Sequence, residues 1–126
     1  MSDPDRLAIV EPALLIRINQ SYREGMSDVS LYDATRGIWR LGPRREAAEI
    51  ALAIYGGIVV EVYEIQNWYP AGSTFYETRT FDDVSNRWEF VGRVAPATIR
   101  DKYVGKSVAD RFKFGAVNPV LYVNVP

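Results

Sequence analysis

Apolar and polar residues alternate along several short segments of the chain, and a period of two is typical of β-strands. In residues 13–19 this period places Leu14, Ile16 and Ile18 on one side of the segment and Arg17 on the other. Comparable segments recur to the end of the chain. We predict strands at residues 13–19, 38–41, 51–55, 58–65, 75–81, 87–94 and 120–125.

Two of these regions carry a further signal. Gly56 and Gly57 separate residues 51–55 from residues 58–65, and a Gly-Gly pair tolerates the positive φ angles of a two-residue hairpin turn. We therefore predict a central hairpin there. Residues 87–94 alternate most regularly, and one face of this strand is predicted to point into the core: Trp88, Phe90, Gly92 and Val94.

Short helices are predicted between the strands, mainly from their end signals. Ser27 is a favourable N-cap, Val29 and Tyr32 are spaced as on one helical face, and Gly37 is a typical helix stop. The predicted helices are residues 28–36, 44–50, 97–103 and 108–113, and residues 66–72 are predicted to be a loop.

The order of these elements predicts a single α+β domain. A chain of 126 residues can form one hydrophobic core without disulfides or metal. Short helices between strands, without regular strand–helix–strand alternation, favour a mixed, curled β-barrel of five to six strands with short covering helices. Residues 1–12 contain Pro4 and Pro12 and are predicted to be a flexible arm that precedes the domain at residues 13–126.

The sequence contains neither cysteine nor histidine. This excludes a disulfide framework, a thiolate nucleophile, the Ser-His-Asp triad and His-ligated zinc. We therefore expect no metal and no cofactor. No apolar segment approaches the length of a membrane span, and no signal-like segment opens the chain, so we expect a cytoplasmic location and no membrane partner.

Arginine dominates the basic residues, with twelve arginines and three lysines at a net charge of -1. Residues 36–45 contain four arginines and no acidic residue. Arginine is favoured where a planar cation must contact phosphate or stack on a ring, and the alternative is a set of scattered surface ion pairs. A protein that grips a few nucleotides in a pocket does not need a strongly positive net charge.

The end of the helix at residues 28–36 and the strand after it bring polar and aromatic side chains together, and we predict that they form one wall of a binding pocket. An indole can stack a base, and a guanidinium can contact a phosphate. Aromatic residues of the 66–72 loop supply a second ring. The predicted base-binding residues are Thr35, Arg36, Gly37, Trp39, Trp68 and Tyr69, and the predicted phosphate-binding residues are Arg40, Arg44, Arg45 and Lys106.

Several of these residues also have a purely structural interpretation. Trp39 could fill the core, Trp68 could anchor its loop, and Arg36 could compensate the dipole at the C-terminal end of its helix. Lys106 could belong to a solvated helix face. The sequence leaves these alternatives open.

Three short motifs and the order of the elements resemble the PUA-like superfamily, which includes the PUA, ASCH, EVE, YTH and SRA domains. The motifs are Arg-Gly-Ile-Trp-Arg at residues 36–40, Arg-Trp-Glu-Phe-Val-Gly at residues 87–92 and Asn-Pro-Val-Leu-Tyr-Val-Asn at residues 118–124. The resemblance covers residues 13–125 and is closest to small EVE- and ASCH-like proteins, some of them found near bacterial restriction systems. It implies a mixed β-barrel that binds RNA or a modified base in DNA, in a cleft beside the strand after the first helix.

The favoured interpretation is a non-catalytic module that holds one nucleobase, modified or not, with RNA or modified DNA as its partner. One alternative is a small ASCH-like hydrolase acting on a modified nucleoside, and another is a protein-interaction module that uses the aromatic residues of the 66–81 segment. The hydrolases in question combine Lys, Thr and Glu. Thr35 with Glu61 or Glu64 could supply two of these, but all three lysines lie at position 102 or later, and arginine cannot replace lysine as a base. Nothing in the sequence indicates the oligomeric state.

Overall fold

The computed structural model describes residues 7–112 and 118–126. Its regular elements follow the chain as two α-helices, five strands and two short 3₁₀ helices. They are β1 (Ala13–Arg17), α1 (Asp28–Arg36), a 3₁₀ helix (Pro43–Ala47), β2 (Ile50–Tyr55), β3 (Ile58–Pro70), β4 (Trp88–Val94), α2 (Ala97–Tyr103), a second 3₁₀ helix (Ala109–Arg111) and β5 (Val120–Val123).

The strands form one mixed sheet in the order β4-β3-β2-β1-β5. β1 runs parallel to β2, and every other pair is antiparallel. The α+β class and the mixed sheet are therefore confirmed. Closure into a barrel is not, because β4 and β5 are the open edges of the sheet in the part of the chain that the structure describes.

β1 and β2 are buried on both faces, except for Tyr55 at the end of β2. Leu14 and Leu15 are neighbours on β1 whose side chains point to opposite sides, and neither has any exposed surface. Strands covered on both faces become continuously apolar, as the Ala-Leu-Leu-Ile and Ile-Ala-Leu-Ala-Ile sequences of β1 and β2 are. Tyr103 of α2 packs on the Leu15 side, and Tyr32 of α1 packs on the Leu14 side.

Helix α1 has the predicted boundaries. The hydroxyl of Ser27 accepts a hydrogen bond from the backbone N–H of Ser30 at 3.1 Å. Gly37 follows the helix in an extended conformation, and its lack of a side chain is required by packing. A Cβ atom at Gly37 would lie 2.2 Å from the hydroxyl of Tyr76, so only glycine permits this approach of helix end and loop.

The central hairpin is confirmed, and β3 is longer than predicted. Gly56 and Gly57 adopt φ angles of 57° and 79° at the turn, a region that favours glycine. β3 then continues to Pro70, because a register shift after Ile65 lets residues 67–70 pair with β4. The loop predicted at residues 66–72 is therefore wrong over most of its length.

Two other predicted strands are wrong. Residues 38–41 contribute only an isolated bridge, in which the backbones of Trp39 and Trp88 exchange two hydrogen bonds. Residues 75–81 are irregular. Their backbone groups bond to buried side chains instead: the N–H of Thr78 donates to Asp33 at 2.9 Å, and the carbonyl of Phe75 accepts from Arg36 at 2.6 Å.

The predicted inward face of β4 is only partly right. Phe90 is fully buried, but Val94 is 47% exposed at the end of the strand. On the other face, the carboxylate of Glu89 is fully buried and accepts hydrogen bonds from the N–H groups of Gly72 and Thr74, both at 2.9 Å. The irregular segment after β3 covers that face, which a two-residue period cannot indicate.

Smaller corrections concern the ends of elements. The helix predicted at residues 44–50 is the short 3₁₀ helix Pro43–Ala47, because β2 already begins at Ile50. The helix predicted at 108–113 is a single 3₁₀ turn, Ala109–Arg111, and residue 113 lies outside the described residues. β1 and β5 end at Arg17 and Val123, before the predicted residues 19 and 125.

Residues 7–12 of the predicted flexible arm contact the rest of the domain. Ile9 is 7% exposed and belongs to the core, and its carbonyl accepts a hydrogen bond from Asn124 at 2.7 Å. Glu11 accepts from Lys102 at 2.6 Å and also from the hydroxyl of Tyr103. The first six residues of the arm lie outside the described residues.

Candidate functional site

Three adjoining clefts lie where β1 ends and β5 begins. The central cleft has a volume of about 430 Å³ and is bounded by residues 17–21, Trp39, Arg79 and Pro119. A second cleft of about 350 Å³, the Arg40 cleft, shares Trp39 and Pro119 with it. A third of about 250 Å³, the Arg23 cleft, shares Ser21 and Arg79 with it. Because they share these lining residues, we consider the three clefts together and call them the arginine groove.

The groove is lined by cations. Arg17 and Arg79 line the central cleft, and neither Asp nor Glu occurs among the described residues that line any of the three clefts. The remaining clefts add Arg40, Arg87 and Arg23. A cleft that concentrates one sign of charge attracts ligands of the opposite sign, so the groove favours an anion.

One carboxylate lies near the groove without lining it. Hydrogen bonding from the backbone N–H of Ser85 lowers the pKa of Asp83, and the charges of Arg87 and Arg40 add to this effect. Asp83 forms no ion pair of 4 Å or less with either of them among the described residues. The carboxylate therefore moderates the positive charge of the Arg40 cleft and does not cancel it.

Trp39 lies between the central cleft and the Arg40 cleft. Its backbone is fixed by the bridge to Trp88, and its indole N–H donates to the carbonyl of Thr35 at 2.8 Å. The side chain is half-buried against the core. Because its one polar group is already bonded, the indole offers the clefts an apolar aromatic surface of fixed orientation.

Arg79 is held by backbone carbonyls rather than by carboxylates. Its Nη1 donates to the carbonyls of Asp33 and Gly37, both at 2.7 Å, and its guanidinium lies 4.5 Å from the centre of the Phe81 ring. Burial lowers its pKa below the ordinary value of arginine, and arginine nevertheless stays protonated. The end of α1 thus positions a cation whose charge no described carboxylate neutralises within ion-pair distance.

Three of the lining arginines have side chains without such anchors. Within residues 7–112 and 118–126, the guanidinium groups of Arg23, Arg40 and Arg87 make no hydrogen bond or ion pair. Arg17 differs, because its Nη2 donates to the carbonyl of Asn118 at 2.7 Å and its guanidinium lies 4.6 Å from the centre of the Phe112 ring. The groove therefore combines two positioned arginines with three that can adapt to a ligand.

Of the predicted base-binding residues, Thr35, Arg36 and Gly37 lie inside the protein. Thr35 has no exposed surface, and its hydroxyl donates to the carbonyl of Leu31 at 2.8 Å. Arg36 is 3% exposed and lies 3.7 Å from the centre of the Tyr76 ring. None of the three lines a cleft of the groove, and their visible role is to position the Trp39 segment and the loop at residues 72–79.

Trp68 and Tyr69 belong to β3, and neither lines the groove. Trp68 is 9% exposed, and its ring meets Phe90 edge-on at 5.4 Å between centroids. Tyr69 is 38% exposed. The structure therefore does not bring Trp68 together with Trp39 at these clefts.

Of the predicted phosphate-binding residues, only Arg40 lines the groove. Arg44 donates to the carbonyls of Val125 and Pro126 at 2.9 and 3.0 Å. Arg45 is 8% exposed and lies 3.3 Å from the centre of the Trp88 ring. Lys106 is exposed after α2 and lines none of the three clefts.

Sequence reasoning missed four of the five lining arginines. Arg17, Arg23, Arg79 and Arg87 are separated by up to 70 residues along the chain and are brought together only by the fold. No motif contains more than one of them. The available signal in the sequence was the excess of arginine over lysine, and this excess does not indicate which arginines line a site.

No family model, curated protein or solved structure matches this chain. Among the described residues, no helix is long and apolar enough to cross a membrane. The same residues contain no group of three or more Asp, Glu, His or Cys side chains placed to hold a metal ion. The ligand of the groove is therefore inferred from the chemistry of the groove itself.

Proposed function

We propose that the protein is a nucleic-acid-binding module that stacks one nucleobase on Trp39 and contacts the adjoining phosphates with the arginines of the groove. One observation carries this proposal: a positioned indole lies in a groove that five arginines line and that no described carboxylate lines. Aromatic surface and guanidinium groups together match the two chemical parts of a nucleotide.

The base is assigned to Trp39 because its ring is both accessible and fixed. Stacking of a base on an aromatic side chain is worth about 1–3 kcal/mol per base and depends little on sequence. A fixed ring loses little conformational entropy on binding. The central cleft, at about 430 Å³, falls within the range of small-molecule sites.

The phosphates are assigned to the arginines because guanidinium groups recognise them with paired, charge-assisted hydrogen bonds. Arg79 is positioned by two carbonyls, and Arg40 extends the positive charge on the other side of Trp39. An acidic peptide would offer carboxylates to the same arginines but no flat ring for the indole. Nucleic acid accounts for both features.

The resemblance to PUA-like domains supports the same location. In that superfamily the base-binding cleft lies beside the strand after the first helix, and Trp39 lies in the corresponding segment of this chain, two residues after Gly37. We extend the proposal to RNA and to DNA with a modified base, as in that superfamily. A cytoplasmic site of action is part of the same proposal.

Fluorescence anisotropy with labelled single-stranded RNA and DNA oligonucleotides tests the proposal. We expect the wild-type protein to bind at low salt and Trp39→Leu to weaken binding by about 5- to 150-fold, which corresponds to the loss of one stacked base. Arg93→Gln is the matched control for charge, since Arg93 is exposed outside the groove and pairs with Glu64 at 3.0 Å. Equal binding by wild type and Trp39→Leu would overturn the assignment.

A further inference from the structure

We infer that the arginine groove holds a run of consecutive nucleotides of one strand, with the stacked base at Trp39 in its middle. This inference rests on the proposed function and adds to it the form of the ligand: an extended single strand rather than a mononucleotide or a duplex. The order of the clefts, the distribution of cations along them and the position of Trp39 support it.

The clefts are arranged in a row. The central cleft shares Trp39 and Pro119 with the Arg40 cleft and shares Ser21 and Arg79 with the Arg23 cleft, whereas the two outer clefts have no lining residue in common. The shared residues therefore place the central cleft next to each of the outer clefts. A strand that followed this order of clefts would extend on both sides of the base stacked on Trp39.

The cations are distributed along the whole row. Arg40 and Arg87 lie on one side of Trp39, Arg17 and Arg79 lie in the central cleft, and Arg23 lies at the other end. A mononucleotide carries its phosphate on one side of its base and would leave one set of arginines unused. A strand that continues in both directions from the stacked base presents phosphates to both sets.

The Arg23 cleft also offers more than a phosphate contact. Met26 and Ala34 give it an apolar part, and Ser30 gives it a hydroxyl group, beside the guanidinium groups of Arg23 and Arg79. The hydroxyl of Thr78 donates to Asp33 at 2.8 Å and can only accept from a ligand. Thioether and aliphatic surface suits the face of a base, and hydroxyls suit its edge. This cleft therefore fits a further nucleotide better than an isolated phosphate.

The position of Trp39 argues against a duplex. The ring is half-buried and lies between two clefts whose linings include Pro119 and either Ile18 or Ile38. A base can stack there only if it is unpaired or turned out of its helix, because the faces of a base in a duplex are covered by its neighbours. An unpaired strand meets this requirement without the cost of opening a helix.

Competition with oligonucleotides of increasing length tests this inference directly. Unlabelled mono-, di-, tri- and pentanucleotides of one sequence compete with a labelled oligonucleotide for the wild-type protein at constant salt. We expect affinity to rise with each added nucleotide until the row of clefts is filled and then to level off. A self-complementary duplex of the same composition is expected to compete less well than the single strand.

The variant Arg23→Gln tests whether the bound strand reaches the Arg23 cleft, and we call the course of the strand along the row of clefts the path. The affinity of this variant for the pentanucleotide is expected to fall by about two- to fivefold, the range for one exposed charge pair, and its affinity for the mononucleotide is expected to fall by a smaller factor. Arg93→Gln is the control and is expected to change neither. Equal weakening of mononucleotide and pentanucleotide by Arg23→Gln would overturn the path.

Failure of the inference can be told from failure of the proposed function. If a mononucleotide binds in a Trp39-dependent way and longer oligonucleotides bind no better, the stacked base stands and the extended path is wrong. If a duplex competes as well as the single strand, the path is also wrong. If no nucleotide or oligonucleotide binds at low salt, both are wrong.

Discussion

Arg36 and Glu89 form an ion pair inside the protein, with Nη1 and Oε2 3.9 Å apart and side chains 4% and 0% exposed. The hydroxyl of Thr74 lies between them, accepting from Arg36 at 2.7 Å and donating to Glu89. The pair connects the end of α1 with β4 and holds the segment that follows β3. It therefore fixes the loop from which Arg79 reaches the groove.

Replacing one partner of this pair should strongly destabilise the fold. In Glu89→Gln the buried Arg36 guanidinium loses one of its two carboxylate partners and keeps Asp33 at 3.5 Å, so the loss has an upper limit of about 3–5 kcal/mol, the cost of breaking a buried ion pair from one side. We expect a loss within that limit in the free energy of unfolding measured with urea. Glu64→Gln is the control, because its pair with Arg93 is largely exposed and is worth about 0–1 kcal/mol. Similar losses in the two variants would contradict this interpretation.

Gly37→Ala should destabilise the protein because the added methyl group collides with a neighbour, and not because the backbone conformation at residue 37 requires glycine. The backbone of Gly37 is extended, but an added Cβ would lie 2.2 Å from the Tyr76 hydroxyl and 3.2 Å from Cβ of Glu89. Overpacking of this kind costs about 1–3 kcal/mol. Adding Tyr76→Phe removes the colliding oxygen, so the double variant should recover part of the loss in thermal unfolding. No recovery would mean that the collision is not the cause.

Acid should weaken the contact between the N-terminal segment and α2. Burial alone would raise the pKa of Glu11, but hydrogen bonds from Lys102 and Tyr103 outweigh it, so the pKa lies below its ordinary value of 4.5. A carboxyl with a lowered folded-state pKa contributes stability above its unfolded pKa and loses that contribution as the pH falls through the folded value.

The measurement is the difference in Tm between wild type and Glu11→Gln from pH 7 to pH 3. We expect wild type to be the more stable at pH 7 and its advantage to shrink progressively below pH 4.5, the ordinary pKa of the group. A difference that stays constant over this range would show that ionisation of Glu11 does not contribute.

Binding of single-stranded nucleic acid should depend on salt in proportion to the phosphate contacts. Each contact with a single strand contributes about 0.7 to the slope of log K against log salt concentration. Arg40→Gln should therefore lower the magnitude of the slope by about 0.7, whereas Arg93→Gln should leave it unchanged because Arg93 lies outside the groove. Equal slopes for wild type and Arg40→Gln would remove Arg40 from the phosphate contacts.

Trp68→Ala should unfold the protein more readily without acting on the groove. The ring is 9% exposed and packs edge-on against Phe90, and truncating a buried aromatic residue costs about 3–5 kcal/mol. We expect a lower midpoint in urea and, at temperatures where the variant is folded, wild-type affinity for oligonucleotides. If the folded variant binds more weakly and its urea midpoint is unchanged, Trp68 contributes to binding and not to stability.

Features set by neighbouring residues could be predicted from the sequence. Helix α1 begins at its predicted residue because the Ser27 cap is a local signal, and α2 likewise spans the predicted residues Ala97–Tyr103. The Gly56-Gly57 turn is local too. Each of these elements forms its decisive contacts within a few positions of the chain.

Features set by distant residues could not be predicted. The alternation in residues 75–81 is typical of a strand, but Asp33 and Arg36 bind its backbone from about 40 residues away in the chain, and this competition is invisible to a local pattern. Trp39 and Arg40 line the groove and were also among the predicted residues, because they adjoin the end of a predictable helix. Arg17 and Arg79 enter the groove through the topology of the sheet and the buried network.

Some arginines of the groove are held by hydrogen bonds within the protein, and others are not. The carbonyls that accept hydrogen bonds from Arg79 belong to the end of α1 and to Gly37. Replacing Arg79 would therefore disturb the fold as well as ligand binding. Arg23, Arg40 and Arg87 have no such partners among the described residues. Substitutions at these three positions, whether they arise by drift or in a selection experiment, are therefore expected to alter the ligand preference of the groove while the scaffold that orients Trp39 stays intact.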